Sequence, residues 1–227
     1  MALLRRARPL LGTLVEIGAT DACAIDAAFA SVAHVHARMS RFDAASDIGR
    51  FHALGAGEAI EVDRETAEVL AAAARFERLS DGAFDIALGS APDGWRIDAC
   101  RLTRLSARTR LDLGGIAKGH AVDRAVAALQ AQGCRVGFVN AGGDLRAFGD
   151  LELPIVLRDE RAGGVRPFCT LSDGAFATSF LSNARAPHVS VAAPSCMHAD
   201  ALAKVVAVSG RLDHPLLAAC AALAWRH

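Results

Sequence analysis

The stretch LDLGGIAKGHAVDRAVAALQAQGCRVGFVNAGGD, residues 111–144, decides how this chain is read. A helix is expected from Ile116 to Gln132, with Gly133 closing it. RVGFVN, residues 135–140, then has the β-branched and aromatic composition of a buried strand. A helix feeding a strand, with Asn140–Asp144 at the strand's far end, is a mixed α/β unit. At the mouth of the helix stand Asp112, the pair Gly114–Gly115, Lys118 and Gly119. Glycines let backbone approach a ligand, and free N–H groups at a helix start favour an anion. The same residues also suit an ordinary glycine turn carrying a solvated lysine, and residues alone leave both readings open.

Working outward, residues 10–17 read as a strand, and Asp21 caps ACAIDAAFASVAHVHARM, whose apolar residues recur at three- and four-residue steps. A second helix is expected over Arg64–Leu79, with Asp63 as its N-cap and Glu65 in its first turn, broken by SDGAFD at 80–85. Strands are expected at 152–158 and 188–193, helices at 198–209 and 214–225, and DERAGGVRPF, 159–168, reads as a turn-rich connection. No internal repeat or linker divides the chain, so one α/β (α+β) domain over residues 1–227 is expected.

Composition narrows the function. The 227 residues hold 25 lysines and arginines against 25 aspartates and glutamates, which gives no overall field for nucleic acid or an acidic membrane. Cysteines at 23, 100, 134, 169, 196 and 220 form no C-x-x-C pair and read as buried small hydrophobes in a reducing compartment. Arg8 and Pro9 interrupt the leucines of the N-terminus, and no apolar run approaches the roughly 18 residues of a membrane span. A cytoplasmic protein without membrane insertion is therefore expected.

Several short patterns invite chemistry. The lysine of GGIAKGH is followed by no Ser or Thr and has the wrong glycine spacing for a nucleoside triphosphatase loop. Gly142 and Gly143 either make a tight turn or admit a ligand against bare backbone. Asp200 and Lys204 share a helix face, as a surface ion pair or with Asp200 turned inward to hold a divalent cation. His34 and His36 are two apart on a helix and cannot share a metal; His52, His120, His188 and His198 show no ligand spacing.

In order, the blocks LGT (11–13), MSRFDAASDIGRFH (39–52), SDGAFD (80–85), DLGGIAKGHAVD (112–123), NAGGDLRAFG (140–149), ATS (177–179) and SVAAPSCMHADALAK (190–204) form a series that resembles the ApbE family, the FAD:protein FMN transferases. The resemblance implies an α/β body with two sheets flanked by helices and a cleft for FAD, the substrate. It implies Mg²⁺ at the FAD pyrophosphate, a Thr or Ser hydroxyl of an acceptor protein as nucleophile, and AMP as leaving group. By motif, Leu11 borders the flavin, Phe42 is the aromatic of the Met-Ser-x-aromatic block, and Ala83, Phe84 and Asp85 form the GAFD contact. Asp112 and Lys118 match the nucleotide-binding pair, with Gly142 and Gly143 alongside; Gly115 offers a carbonyl to the metal, and Asp200 its carboxylate at the catalytic centre.

The chain departs from the family pattern at several places. Lys204 stands where the family has the Thr of A-D-A-L-A-T, and a charged ammonium has no lone pair for Mg²⁺. Either Lys204 points away or its charge substitutes for the metal. The family's His-x-x-Asp-Pro segment is missing between ATS and SVAAP, Phe180 follows Ser179 where the family has Gly, His52 replaces an Asn, and the stretch from Asp85 to Asp112 is short. A catalytically impaired FAD-binding protein of the same fold is the alternative.

Overall fold

The computed structural model describes residues 3–91, 93–158 and 163–227. In chain order the elements are β1 (Leu4–Leu10), β2 (Thr13–Ala19), α1 (Ala22–Met39), α2 (Asp47–His52), β3 (Ala59–Glu61), α3 (Arg64–Leu79), β4 (Trp95–Asp98), β5 (Arg101–Arg104) and α4 (Ala117–Ala131). They continue as β6 (Gly137–Ala141), β7 (Asp144–Phe148), β8 (Leu153–Arg158), β9 (Val165–Leu171), β10 (Gly174–Phe180), β11 (His188–Ala193), α5 (Cys196–Ser209), α6 (Pro215–Ala219) and β12 (Leu223–Arg226). Among the described residues the strands form a seven-stranded sheet, β1-β2-β6-β7-β10-β11-β12, a three-stranded sheet, β3-β5-β4, and the β8-β9 ribbon. The mixed α/β class read from the helix–strand unit is what the chain adopts.

Period-two alternation divides the large sheet into two faces. Val15, Ile17 and Ala19 of β2, Val139 and Ala141 of β6, and Val189 and Val191 of β11 point into the main core, where α1, α4 and α5 bury their apolar stripes. Phe138, Leu145 and Phe176 point the other way, into a smaller core closed by Ile155 and Leu157 of β8. One face of the sheet thus positions helices, and the other carries the ribbon.

Four of the five helices read from the sequence are present to within two residues at each end. Asp21 accepts from the Ala24 N–H and Asp63 from the Glu65 N–H, so both expected caps are made. Gly133, at φ +83°, ends α4 in the left-handed conformation that favours glycine. Four readings are corrected. The strand expected at 10–17 is a hairpin: β1 and β2 pair through a two-residue turn at Leu11 and Gly12. The helix expected at 214–225 stops at Ala219, and residues 223–226 join β11 as β12, because an open sheet edge and the packing of Trp225 on Phe168 and Phe176 outweigh local helix propensity. Within 159–168, residues 159–162 lie outside the described residues, but Val165–Leu171 is strand β9 rather than connection. Of the cysteines, Cys134 and Cys196 are buried as expected, whereas Cys23 and Cys169 are exposed.

Candidate active site

The β1–β2 turn opens one end of the large sheet. Leu11 and Gly12 both have positive φ, 55° and 72°, the backbone of a type I′ turn. Opposite lie the end of α1 and the loop Ser40–Phe42, with residues 112–118 between them. Together they enclose a cavity of about 290 Å³ lined by Leu11, Met39, Arg41, Phe42, Asp112 and Lys118, among others. The Arg41 guanidinium lies 4.1 Å from the centre of the Phe42 ring, and its Nε is 3.1 Å from Asp112 Oδ2. Asp112 Oδ1 accepts the Gly114 N–H at 2.8 Å, which fixes the Gly114–Gly115 turn. Phe42 itself is 82% exposed. A flat aromatic face left in water beside a cationic arm is a platform for stacking a ring system.

Behind this cavity α4 and α5 approach so closely that a Cβ on Gly119 would stand 2.3 Å from the Cys196 carbonyl oxygen. Each helix caps the other. Asp200 of α5 accepts the Gly119 N–H of the first turn of α4 at 3.2 Å, where Ile116 supplies no side-chain cap. Asp123 of α4 in turn accepts the Cys196 and Met197 N–H groups of the first turn of α5, at 3.0 and 2.9 Å, and the Ser195 hydroxyl at 2.9 Å. Carboxylates at two helix N-termini satisfy backbone donors that have no intrahelical partner and complement the dipoles. This exchange sets the distance between Lys118, on α4, and Asp200 and Lys204, on α5.

Those three residues and Asp144 form a compact group of alternating charge. Lys118 donates to Asp144 and is 3.7 Å from Asp200, while Lys204 donates to Asp200 at 2.6 Å. Asp200 is fully buried. Burial works to raise its carboxyl, but the ammonium groups of Lys204 and Lys118, with the Lys204 and Gly119 hydrogen bonds, outweigh that and hold it below the ordinary carboxylate range. Asp144, also buried and facing the negative Asp200, is raised to about 6 despite Lys118. Lys118 is lowered by burial but raised overall by Asp200 and Asp144, so it is a permanent cation. Its side chain remains 28% exposed and lines the cavity.

Of the residues singled out in the sequence, Leu11, Phe42, Asp112 and Lys118 meet at the cavity, and Gly115 and Asp200 meet Lys204 behind it. The Asp200–Lys204 pair exists, but it is buried rather than on the surface. Phe84 is buried beside Gly115 and packs on Phe76 at 5.8 Å, and Ala83 borders the same core. The Asp85 carboxylate accepts the Ala87 and Gly89 N–H groups, each at 2.6 Å, and so holds its own loop. Gly142 and Gly143 make the tight β6–β7 turn, at φ 65° and 102°, and line a separate hollow over the ribbon side of the sheet. Arg41, Asp123 and Asp144 were not singled out. All three sit within quoted blocks, Arg41 and Asp144 beside chosen residues, but the partner of Asp123, Ser195, is 72 positions away and no local pattern announces the pair.

Comparison with known proteins gives one family. The family model described as ApbE family matches residues 11–102 and 95–180. A curated FAD:protein FMN transferase from Rhodobacter capsulatus is 31% identical over 179 residues, which is 62% of this chain and 34% of that protein, so the chain spans about a third of that relative's length. Among solved structures, the flavin transferase ApbE from Vibrio cholerae superposes with a TM-score of 0.82 at 22% identity, covering 91% of this chain and 86% of that one. The H257G mutant of that protein gives 0.85 at 22% identity, over 99% and 92%. The ApbE protein from Thermotoga maritima gives 0.81 at 26% identity, over 93% and 88%.

Proposed function

The chain belongs to the ApbE family, and from that premise we propose that it transfers FMN from FAD to a Thr or Ser hydroxyl of an acceptor protein, releasing AMP. The observation that carries the reading is the meeting of one cavity and one charge cluster: Phe42 and Arg41 offer a stacking face, and Lys118 reaches from the cavity wall to Asp144 and Asp200. A flavin dinucleotide needs both, a surface for a ring system and a cation for its diphosphate. In this reading Leu11 and Phe42 shape the flavin end, Phe84 backs the Gly115 turn from the core, Asp112 holds the nucleotide through its free lone pairs, and the Gly114–Gly115 turn lets main chain come near the phosphates. Gly142 and Gly143 serve as the turn that presents Asp144.

The reaction is a displacement at phosphorus. The acceptor oxygen forms a bond to the FMN phosphorus, and the bond from that phosphorus to the bridging oxygen breaks. AMP leaves with the electron pair, and the hydroxyl proton passes to solvent. Such a transfer depends on positioning and on charge near the nonbridging and bridging oxygens more than on a protein nucleophile. Lys118 supplies that charge, and the buried carboxylates keep it fixed.

The Mg²⁺ that the resemblance implies meets a poor donor set. Among the described residues no group of three or more His, Cys, Asp or Glu is arranged to hold a metal ion. Asp200 already accepts the Lys204 ammonium on Oδ1 and the Gly119 N–H on Oδ2, with a second ammonium 3.7 Å away. These residues do not fit a divalent cation, and no step is assigned to one. The test of the transfer is direct: the protein is incubated with FAD and a threonine-bearing acceptor peptide, and AMP and the flavinylated peptide are quantified by chromatography and mass spectrometry. Stoichiometric AMP and adduct are expected. Absence of AMP, with water or peptide as acceptor and with or without added metal, contradicts the reading.

A further inference from the structure

Lys204 occupies the space between the two positions that the family resemblance gives to a metal. Its ammonium lies 2.6 Å from Asp200 Oδ1, and its stem runs over Gly115, where a Cβ would touch Lys204 Cγ at 3.5 Å and Cε at 3.6 Å. The side chain therefore neither points away nor pairs at the surface; its ammonium is held by Asp200 and its stem lies beside Gly115. Its charge is felt at both buried carboxylates, where it favours the ionised form of Asp144 and of Asp200. Asp144 and Asp200 carry two negative charges, and Lys118 and Lys204 two positive ones. A dication added to this balanced, largely desolvated group would face two ammonium ions and would have to displace Lys204 from Asp200.

We propose that the Lys204 ammonium is a built-in cation that takes the place of a divalent metal at Asp200 and Gly115, so that this chain holds the diphosphate of FAD without metal. The proposal rests on the flavin reading for its ligand but not for its exclusion of metal. An ammonium has three donors, and Asp200 uses one; with its side chain 21% exposed, Lys204 keeps donors for a phosphate oxygen. One fixed positive charge then replaces two, and the charge cannot be removed by a chelator.

The experiment has two arms on the same full chain. In the first, Mn²⁺ alone is titrated into protein without flavin, and free Mn²⁺ is followed by electron paramagnetic resonance. The native chain should bind none at millimolar concentration, and Lys204→Thr, which frees Asp200 and adds a hydroxyl ligand, should gain one site. In the second, FAD is titrated in chelator and in Mg²⁺. The native affinity should agree within about twofold between the two, while Lys204→Thr should weaken about tenfold or more in chelator and recover with Mg²⁺. Lys204→Met, which keeps the stem and loses the charge, should weaken FAD binding in both conditions; circular dichroism establishes that each variant is folded. Stoichiometric Mn²⁺ binding by the native chain, or a tenfold loss of its FAD affinity in chelator, overturns the proposal. If no FAD binds under any condition, the flavin reading fails and the diphosphate role of Lys204 with it. Metal exclusion is then judged by the Mn²⁺ arm alone.

Discussion

Replacing Asp123 by Ala should loosen the joint between α4 and α5. Its carboxylate accepts from the Cys196 and Met197 backbone N–H groups, from the Ser195 hydroxyl, and from Arg146 at 2.7 Å. The Arg146 pair is part-exposed and contributes at most about 1 kcal/mol. Losing a helix cap costs about 1 kcal/mol. The Cys196 N–H lies at a fully buried residue, and leaving it without an acceptor adds about 2 kcal/mol. The total is about 4 kcal/mol, which for a chain of this size lowers Tm by about 12 °C. Asp123→Asn keeps one acceptor oxygen but turns an N–H₂ group toward backbone donors, and should lose about 2 kcal/mol. Urea unfolding followed by far-UV circular dichroism measures both losses. Because none of the four hydrogen-bond partners of the Asp123 carboxylate lines the cavity, FAD affinity should fall only as far as α5 shifts. An Asp123→Ala chain within 1 kcal/mol of the native stability refutes the reciprocal capping.

Gly119→Ala should lose about 3 kcal/mol in the same assay, since the new methyl would meet only backbone, 2.3 Å from the Cys196 oxygen and 2.8 Å from Met197 Cα; a neutral substitution would mean that the helices separate freely. The histidines should each take stability away on acidification from pH 7.5 to 5.5, against an opposite contribution from Asp144, which is raised to about 6 and takes up its proton first in the folded chain. His52, His120, His198, His214 and His227 are each lowered from 6.5, chiefly by burial, so the unfolded chain binds more protons as pH drops below 6.5, and the stability present above that value is lost toward the lowered folded values. His52 Nε2 accepts the Leu111 N–H at 2.9 Å, so His52→Gln, which keeps an acceptor without titrating, should flatten the profile; an unchanged slope would remove His52 from the account.

How much of this was legible in the sequence follows from the range of the interactions. Helices α1, α3 and α4 were readable because their caps at Asp21 and Asp63 and the terminating Gly133 lie within a few residues of what they stabilise. The C-terminal strand was not, since ALAWR suits a helix until β11 offers an edge. The site divides in the same way. Asp112, Gly115, Lys118 and Asp200 could be named from motif blocks, but their partners lie on other elements: Arg41 after α1 for Asp112, Asp144 of β7 for Lys118, and the first turn of α4 for Asp200. Asp200 meets the Gly119 N–H across 81 positions, and Lys118 meets Asp144 across 26. Residue spacing showed that Asp200 and Lys204 share a helix face; only the approach of Gly115 shows that this face is inside.

The most direct measurement is a fluorescence titration of FAD into the native chain and into Lys118→Met, the residue that joins the cavity to the buried carboxylates. Saturable binding by the native chain is expected, weakened about tenfold or more when the ammonium is removed, the effect of losing one charged hydrogen bond to phosphate. Absence of saturable binding, or equal affinity in the two proteins, would contradict a diphosphate held at Lys118.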